Sequence, residues 1–245
     1  MEPALDPFAC PRALRPEQLG AVAVIAPHPD DESIGCGGLI ALLCQQGQPV
    51  SVVLLSDGAL SHPGSLRWTR SERVRLRLAE FHAALRMLGV GADGARALQW
   101  PDGALPSAGS AGFGAAVTEL AACLAEVRLT TLLVPWRRDP HPDHRAASAI
   151  ARAANAGLKR PARVLEYPVW APQRGSDAEQ PRLHEATHWR VDVAAVVDHK
   201  LRAINAHQSQ LGGVIDDDPA GFVLPPDMLA RCAQPFETYY EVLAA

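Results

Sequence analysis

The chain has no apolar run long enough to cross a bilayer, although 48% of its 245 residues are apolar, which excludes a membrane-spanning helix. Its opening stretch, MEPALDPFACPRALRPEQLG, carries early acidic residues and several prolines but no apolar segment of signal-peptide length, and reads as an irregular lead-in over 1–20. Basic charge is not in excess. The formal net charge is −4 with both signs dispersed, which argues against a nucleic-acid backbone or an anionic membrane as partner. Cysteine is sparse: the five residues at 10, 36, 44, 123 and 232 are odd in number and lack metal-type spacing. Reduced thiols in a cytoplasmic protein are the expectation. Repeats, linkers and low-complexity segments are also missing, so 1–245 is expected to form a single domain, with no readable structure assigned to 211–245.

What is present is concentrated in Ala21–Leu43, AVAVIAPHPDDESIGCGGLIALL. Six apolar residues, Ala21–Ala26, suit a buried strand. Pro27 and Pro29 then break regular structure around His28, Asp30, Asp31 and Glu32. Ser33 is a candidate N-cap for a helix over Ile34–Gln46, packed closely at its start through Gly35, Gly37 and Gly38. One histidine and three carboxylates therefore stand at the carboxyl end of a buried strand, where open α/β sheets bind ligands.

The remaining pattern alternates strands and helices. Strands are predicted at Val50–Leu55, Ala97–Trp100, Thr130–Pro135, Val164–Tyr167 and Thr187–Val193. Helices are predicted around Val74–Leu88 (closed by Gly89), over Ala111–Val127, Arg145–Ala156 and Val196–His207. Such alternation implies right-handed βαβ crossovers, hence an α/β fold with a mainly parallel sheet and helices on both faces. The polar clusters at 28–32, 57, 102 and 141–144 each follow a predicted strand. In a parallel sheet those strand ends share one edge, so the clusters can converge.

A hydrolytic metal site needs three protein ligands, an open position for water and a base that is not a ligand. His28 and Asp31 are three apart on a turn stiffened by Pro29, and His144 can complete a two-histidine, one-carboxylate set. Asp30 is then suited to take a proton from water. His141 can stabilise an oxyanion or protonate a leaving amine, and Asp143 can fix its tautomer. The residues alone leave open which carboxylate binds and which acts as base.

HPDDE at 28–32 and HPDH at 141–144 resemble the motifs of the PIG-L/LmbE-like zinc-dependent deacetylases, which remove acetyl groups from N-acetylglucosamine-type amino sugars. Ser56-Asp57-Gly58, the Arg77-x-x-Glu80 pair leading to Leu88-Gly89-Val90, and His207-Gln208-Ser209-Gln210 extend the similarity over about 21–210. The resemblance implies a Rossmann-like three-layer sandwich. It also implies Zn2+ (or Fe2+) on His28, Asp31 and His144, with Asp30 as general base. His141 assists the oxyanion and leaving group, Asp143 orients it, Arg77 binds substrate and Asp57 lies near the site. The activity implied is a metal-dependent hydrolase that frees the amide nitrogen of an amino sugar or glycoconjugate from its acetyl or acyl group, by metal-activated water.

Simpler readings compete. Asp and Pro belong in turns, so HPDDE alone can be a capped turn with solvated carboxylates; the second histidine-rich turn weakens that reading. Arg70, Arg73 and Arg77 read as a solvated helix face, with Glu80 as the i,i+3 partner of Arg77. Asp57 and Asp102 each precede a glycine and suit turns. Cys36 suits helix packing, and Trp136, Arg137 and Arg138 can line the cleft or cover it. A dinucleotide site fails because Gly35-x-Gly37 would require glycine where Ile40 stands. A non-haem iron oxygenase using His28, Asp30 and a distant histidine leaves Asp31 and Asp143 idle. A sugar-binding module without turnover leaves the base and acid candidates unused.

Overall fold

The computed structural model describes residues 11–181 and 185–242. In chain order the elements are β1 (Arg12–Ala13), β2 (Val22–Ala26), α1 (Asp31–Gln45), β3 (Val50–Ser56), α2 (Arg70–Leu88), β4 (Ala95–Trp100), α3 (Phe113–Ala125), β5 (Thr131–Pro135), α4 (Pro142–Ala156), β6 (Arg163–Tyr167), α5 (Ala171–Arg174), β7 (Ala186–Asp192), α6 (Val197–Ala206), α7 (Pro226–Cys232) and β8 (Phe236–Val242). The strands form one eight-stranded sheet in the order β1-β7-β8-β6-β5-β2-β3-β4. All neighbours are parallel except β8, which runs antiparallel to both β6 and β7.

Alternate side chains of the central strands sort into two layers, as pleating requires. Val22, Val24, Ala26, Val52 and Leu54 face α1, α2 and α6. Ala23, Ile25, Val53 and Leu55 face α3 and α4, meeting Leu120, Leu124, Ile150 and Ala154. Each fully buried Ile or Leu contributes about 1.5–3 kcal/mol, so the strand ends project from a rigid scaffold. Glycine lets α1 approach closely: a Cβ on Gly35 would fall 2.2 Å from Cδ2 of Tyr167, and one on Gly38 would fall 2.7 Å from Cβ of Val193.

The topology positions the motifs. From β2 the chain moves outward through β3 to β4, then returns to place β5 on the other side of β2, pairing Val22 with Thr131 and Val24 with Leu133. The sheet therefore reverses its winding between β2 and β5, and a crevice opens at that switch point beyond the carboxyl ends of the strands. PHPDD follows β2 and DPHPDH follows β5, so both motifs border the crevice.

Several expectations are corrected. α1 begins at Asp31, with Asp30 in the N-cap position, so Ser33 is not the cap; it donates instead from Oγ to Glu32 Oε1 at 2.7 Å. Carboxylates at Asp31 and Glu32 suit the free amides of a first helical turn. α4 begins at Pro142, where proline costs no hydrogen bond, and His141 caps it. The arginine face of α2 is not solvated: Arg73 and Arg77 are buried, as is Glu80, although Arg70 remains largely exposed. Glu80 accepts from the amide and Oγ of Ser209 at 2.7 and 2.6 Å rather than pairing with Arg77. The part of the lead-in that is described includes β1, paired with β7. The C-terminal segment, unreadable in sequence, supplies α7 and β8, and β8 lies inside the sheet.

Cys36, Cys44, Cys123 and Cys232 are free thiols, and Cys10 lies outside the described residues. Among the described residues no helix is long and apolar enough to cross a membrane.

Candidate metal centre and active site

The turn after β2 is strained where it carries its chemistry. Asp30 has φ 135°, a region that costs a side-chain-bearing residue about 1–3 kcal/mol and persists only when its surroundings enforce it. Here the Asp30 amide donates to Glu32 Oε2 at 3.1 Å, and the Asp30 carbonyl accepts from the amides of Ser33 and Ile34 at 3.0 and 2.9 Å. From α2, the buried Arg77 guanidinium donates to the Pro29 carbonyl and stands 3.3 Å from Asp30 Oδ2. Glu32 is itself held by His207, whose Nε2 lies 3.1 Å from Oε1.

Asp31 Oδ2 is the focus of the cluster. It accepts from the His28 amide at 2.9 Å and lies 3.2 Å from both His28 Nδ1 and His144 Nε2. Carboxylates stand behind both imidazoles. Asp102 Oδ1 and Asp143 Oδ2 lie 3.2 and 3.3 Å from His28 Nε2, and Asp139 Oδ1 lies 3.3 Å from His144 Nδ1. Outer carboxylates of this kind orient histidines that bind metals. The rings of His28, His141 and His144 form a triangle with centroids 4.8, 4.9 and 5.3 Å apart.

The charges explain what such a cluster would hold. Burial opposes charge on His144, yet Asp31 and Asp139 outweigh it and raise its pKa to about 9. Burial likewise opposes charge on His28, whose contacts with Asp102, Asp143 and Asp31 carry it well above its usual value. Asp31 is buried too, but His144 and His28 hold it well below the carboxylate range. Burial lifts Asp30 to about 7 against the pull of Arg77, with Asp31 adding to the rise. His141 behaves differently from the other two histidines: burial, His144 and His28 push it down to about 4.

Both ring nitrogens of the fully buried His144 lack an aligned hydrogen bond among the described residues. Imidazole nitrogens flanking a buried carboxylate, with no aligned partner and a strong bias towards positive charge, fit a divalent cation. The geometry offers more than one donor set. His28, Asp31 and His144 converge on Asp31 Oδ2, while ligand atoms of His28, His141 and His144, and separately of His28, Asp102 and Asp143, lie within 4.8 Å of one another.

Six of the eight site residues expected from sequence meet here: His28, Asp30, Asp31, Arg77, His141 and His144. Two are placed differently. Asp143 does not direct its carboxylate at His141; that carboxylate accepts from the amides of Gly103 and Leu105 at 2.8 and 3.3 Å and faces His28. It is the Asp143 amide that donates to His141 Nδ1, at 3.2 Å. Asp57 is turned away from the cavity, where it accepts from the amides of Ala59 and Asp102 and pairs with Arg70. Its carboxylate therefore shapes the turn that carries Asp102.

Asp102, read in the sequence as a turn former at a converging strand end, and Asp139, which the sequence reading leaves without a role, are the carboxylates it does not assign to the histidines. Both adjoin the strand-end motifs, and the need of a metal-binding histidine for an outer carboxylate is the signal that points to them. Trp136 is fully buried, Arg137 stands 3.9 Å from Glu166 and Arg138 pairs with Glu185, and these three residues are not among those lining the cavity. The polar lining of the cavity of about 420 Å³ above the cluster includes His28, Asp30, Asp102, His141, Arg77 and Gln210.

Known proteins are similar to this chain. The model of the family described as "PIG-L: GlcNAc-PI de-N-acetylase" matches residues 23–155, spanning both histidine motifs. A Bacillus cereus protein named "Probable N-acetyl-alpha-D-glucosaminyl L-malate deacetylase 2" is 28% identical over 203 residues, covering 81% of this chain and 87% of that one. The diacetylchitobiose deacetylase of Thermococcus kodakarensis is 30% identical over 194 residues, covering 77% of this chain and 69% of that one. The solved structure of N,N'-diacetylchitobiose deacetylase from Pyrococcus horikoshii shares the fold, with a TM-score of 0.64 at 24% identity over 88% of this chain and 74% of that chain. By the match over residues 23–155, more than half of its length, and the relatives that extend it, this chain belongs to the PIG-L family of de-N-acetylases.

Proposed function

We propose that the protein is a metal-dependent N-deacetylase that hydrolyses the acetamido (or another acylamido) group of an N-acetylglucosamine-type amino sugar or glycoconjugate. One observation carries the reading: the half-buried His28 and the buried His144, from opposite sides of the switch point, flank a single oxygen of Asp31, beside an Asp30 whose pKa is raised towards neutrality. The relatives named above, deacetylases of N-acetylated sugars by name, support the substrate class.

In this reading His28, Asp31 and His144 hold Zn2+ or Fe2+. Such an ion supplies a Lewis acid for the amide carbonyl and lowers the pKa of water. Asp30 accepts a proton from the attacking water at its carboxylate and returns it to the leaving nitrogen as the C–N bond breaks. A carboxyl lifted to about 7 is suited to both transfers near neutral pH. His141 is neutral there, and because its Nδ1 accepts from the Asp143 amide, its proton sits on Nε2, from which it can donate to the developing oxyanion. Asp143 and Asp102 hold His28, and Asp139 holds His144. Arg77 fixes the strained turn and faces the cavity, where it is available to substrate hydroxyls. The products are a carboxylate and a free amine, so water balances the reaction.

We extend the reading to one deacetylase domain over 1–245, since β8, near the far end of the chain, is built into the sheet that carries the site. The free thiols suit a reducing compartment, and we place the reaction in the cytoplasm. The test is amine release from N-acetylglucosamine glycosides by zinc-loaded protein, with Asp30→Asn as control. Turnover by the parent chain and a loss of about 100-fold or more in the variant support the proposal. Saturable sugar binding without any amine release would instead make the protein a binding module.

A further inference from the structure

The cavity over the metal cluster has a second wall that hydrolysis itself does not use. It is built from Ile34 on the first turn of α1, Val169 and Trp170 after β6, Leu60 after β3, and Phe222 and Leu224 from the loop between α6 and α7. Ile34, Val169, Trp170 and Leu224 are buried. Phe222 meets Trp170 edge to face, with centroids 5.6 Å apart at 76°, and the Arg174 guanidinium lies 4.3 Å from the Trp170 ring centre. Beside these six apolar residues the polar side chains lining the cavity are Ser61, Arg174 and those of the metal cluster and its surroundings. The side chains of Ile34, Val169, Trp170, Leu60, Phe222 and Leu224 present apolar surface to whatever lies against them.

The loop that delivers Phe222 and Leu224 is held by specific bonds. Asp217 accepts from the amides of Leu66 and Arg67, both at 2.9 Å, and from Ser65 Oγ at 2.7 Å. Asp218 accepts from the Gly64 amide at 2.8 Å. The amides of Phe222 and Leu224 donate to the Ser61 and Gln210 carbonyls at 2.6 and 2.8 Å. Gly221 lies flat against His62, where a Cβ would fall 2.0 Å from Cδ2. The loops after β3 and after α6 are thus joined into one rim, and the second of them lies outside the segment that matches the family.

We propose that this apolar wall is a subsite for an apolar substituent of the substrate, an aryl or alkyl group larger than the acetyl methyl, and that Phe222 and Leu224 are specificity-determining residues. The inference rests on the deacetylase reading and deepens it. The substituent can be the aglycone or an extended N-acyl chain; both present the same apolar surface to the wall, and the experiment separates them.

The test compares kcat/KM for amine release by the zinc-loaded full chain on three substrates: methyl and phenyl glycosides of N-acetylglucosamine, and the methyl glycoside of N-hexanoylglucosamine. One apolar group in a hydrophobic pocket is worth roughly 10–200-fold in discrimination. At least about tenfold preference for the phenyl glycoside over the methyl supports the inference with the aglycone as source. The same preference for hexanoyl over acetyl supports it with the acyl chain as source. Phe222→Ala is expected to bring the preferred ratio towards one, and a ratio unchanged in that variant overturns the role of Phe222. Equal kcat/KM on all three substrates overturns the subsite and leaves deacetylation standing. No amine from any substrate overturns deacetylation and the subsite together. The parent-chain series decides the subsite even if Phe222→Ala does not fold.

Discussion

Asp139 Oδ1 stands 3.3 Å from Nδ1 of His144, with both side chains fully buried. Asp139 also accepts from the amides of His141 and Trp170 at 3.0 and 2.9 Å, so one carboxylate fixes a proposed metal ligand, the proposed oxyanion donor and the start of the apolar wall. Asp139→Ala should weaken metal affinity by roughly 10–100-fold while leaving His28, Asp31 and His144 in place. Competition with a chelator of known affinity measures this, and an unchanged affinity removes Asp139 from the centre.

Metal uptake should displace protons. His144, raised to about 9, and His28, raised well above its ordinary value, both carry protons at pH 7 in the metal-free chain, and histidine must be neutral to bind a metal. Zinc binding at pH 7 is therefore expected to release about two protons, readable by calorimetry in buffers of different ionisation enthalpy. The stability linkage has a definite sign. The folded pKa of His144 lies above its ordinary 6.5, so its contribution in the metal-free chain is fully present below 6.5 and is lost as pH rises through about 9. Release of no proton would contradict this electrostatic account.

Two of the donor sets share His28 and His144 and differ in the third ligand, Asp31 or His141. With Asp31 as that ligand, Asp31→Ala should empty the site, whereas His141→Ala should keep about one metal per chain and lose turnover. Metal analysis of the two purified variants distinguishes them. The opposite pattern would make the centre a three-histidine site.

Gly35 sits where α1 crosses the fully buried Tyr167 ring, at a distance that leaves no room for a methyl group. Gly35→Ala is expected to destabilise the fold by about 1–3 kcal/mol, a fall in Tm of roughly 2–4 °C for each kcal/mol. Calorimetry on parent and variant checks it. An unchanged Tm would mean that α1 can move off the sheet without cost.

Much of this architecture can be read in the residues. The apolar strand β2 and its PHPDD turn are local signals, and the second histidine motif after another buried strand implies convergence in a parallel sheet. Strand order was not legible, because pairing β2 with β5 is decided by crossover packing far from either strand. Charge on α2 misleads: Arg73 and Arg77 look solvated by composition, but each is buried against a partner brought from elsewhere, Ala59 O for Arg73 and the Pro29–Asp30 turn for Arg77. β8 is hard to read in the residues although Phe236, Thr238, Tyr240 and Val242 alternate with Glu237, Tyr239 and Glu241. Glu237 looks like a surface residue in that pattern. In the fold its buried carboxylate binds Lys200 and two amides of α1.

The central claim is that one metal ion at this cluster makes the protein a deacetylase. The most direct test is to titrate metal-stripped protein with Zn2+ while following amine release from the N-acetylglucosamine glycoside the protein turns over fastest. The account predicts negligible activity at the start, a linear rise and a plateau at about one equivalent. Full activity in the stripped protein, or none at any equivalence, would contradict it.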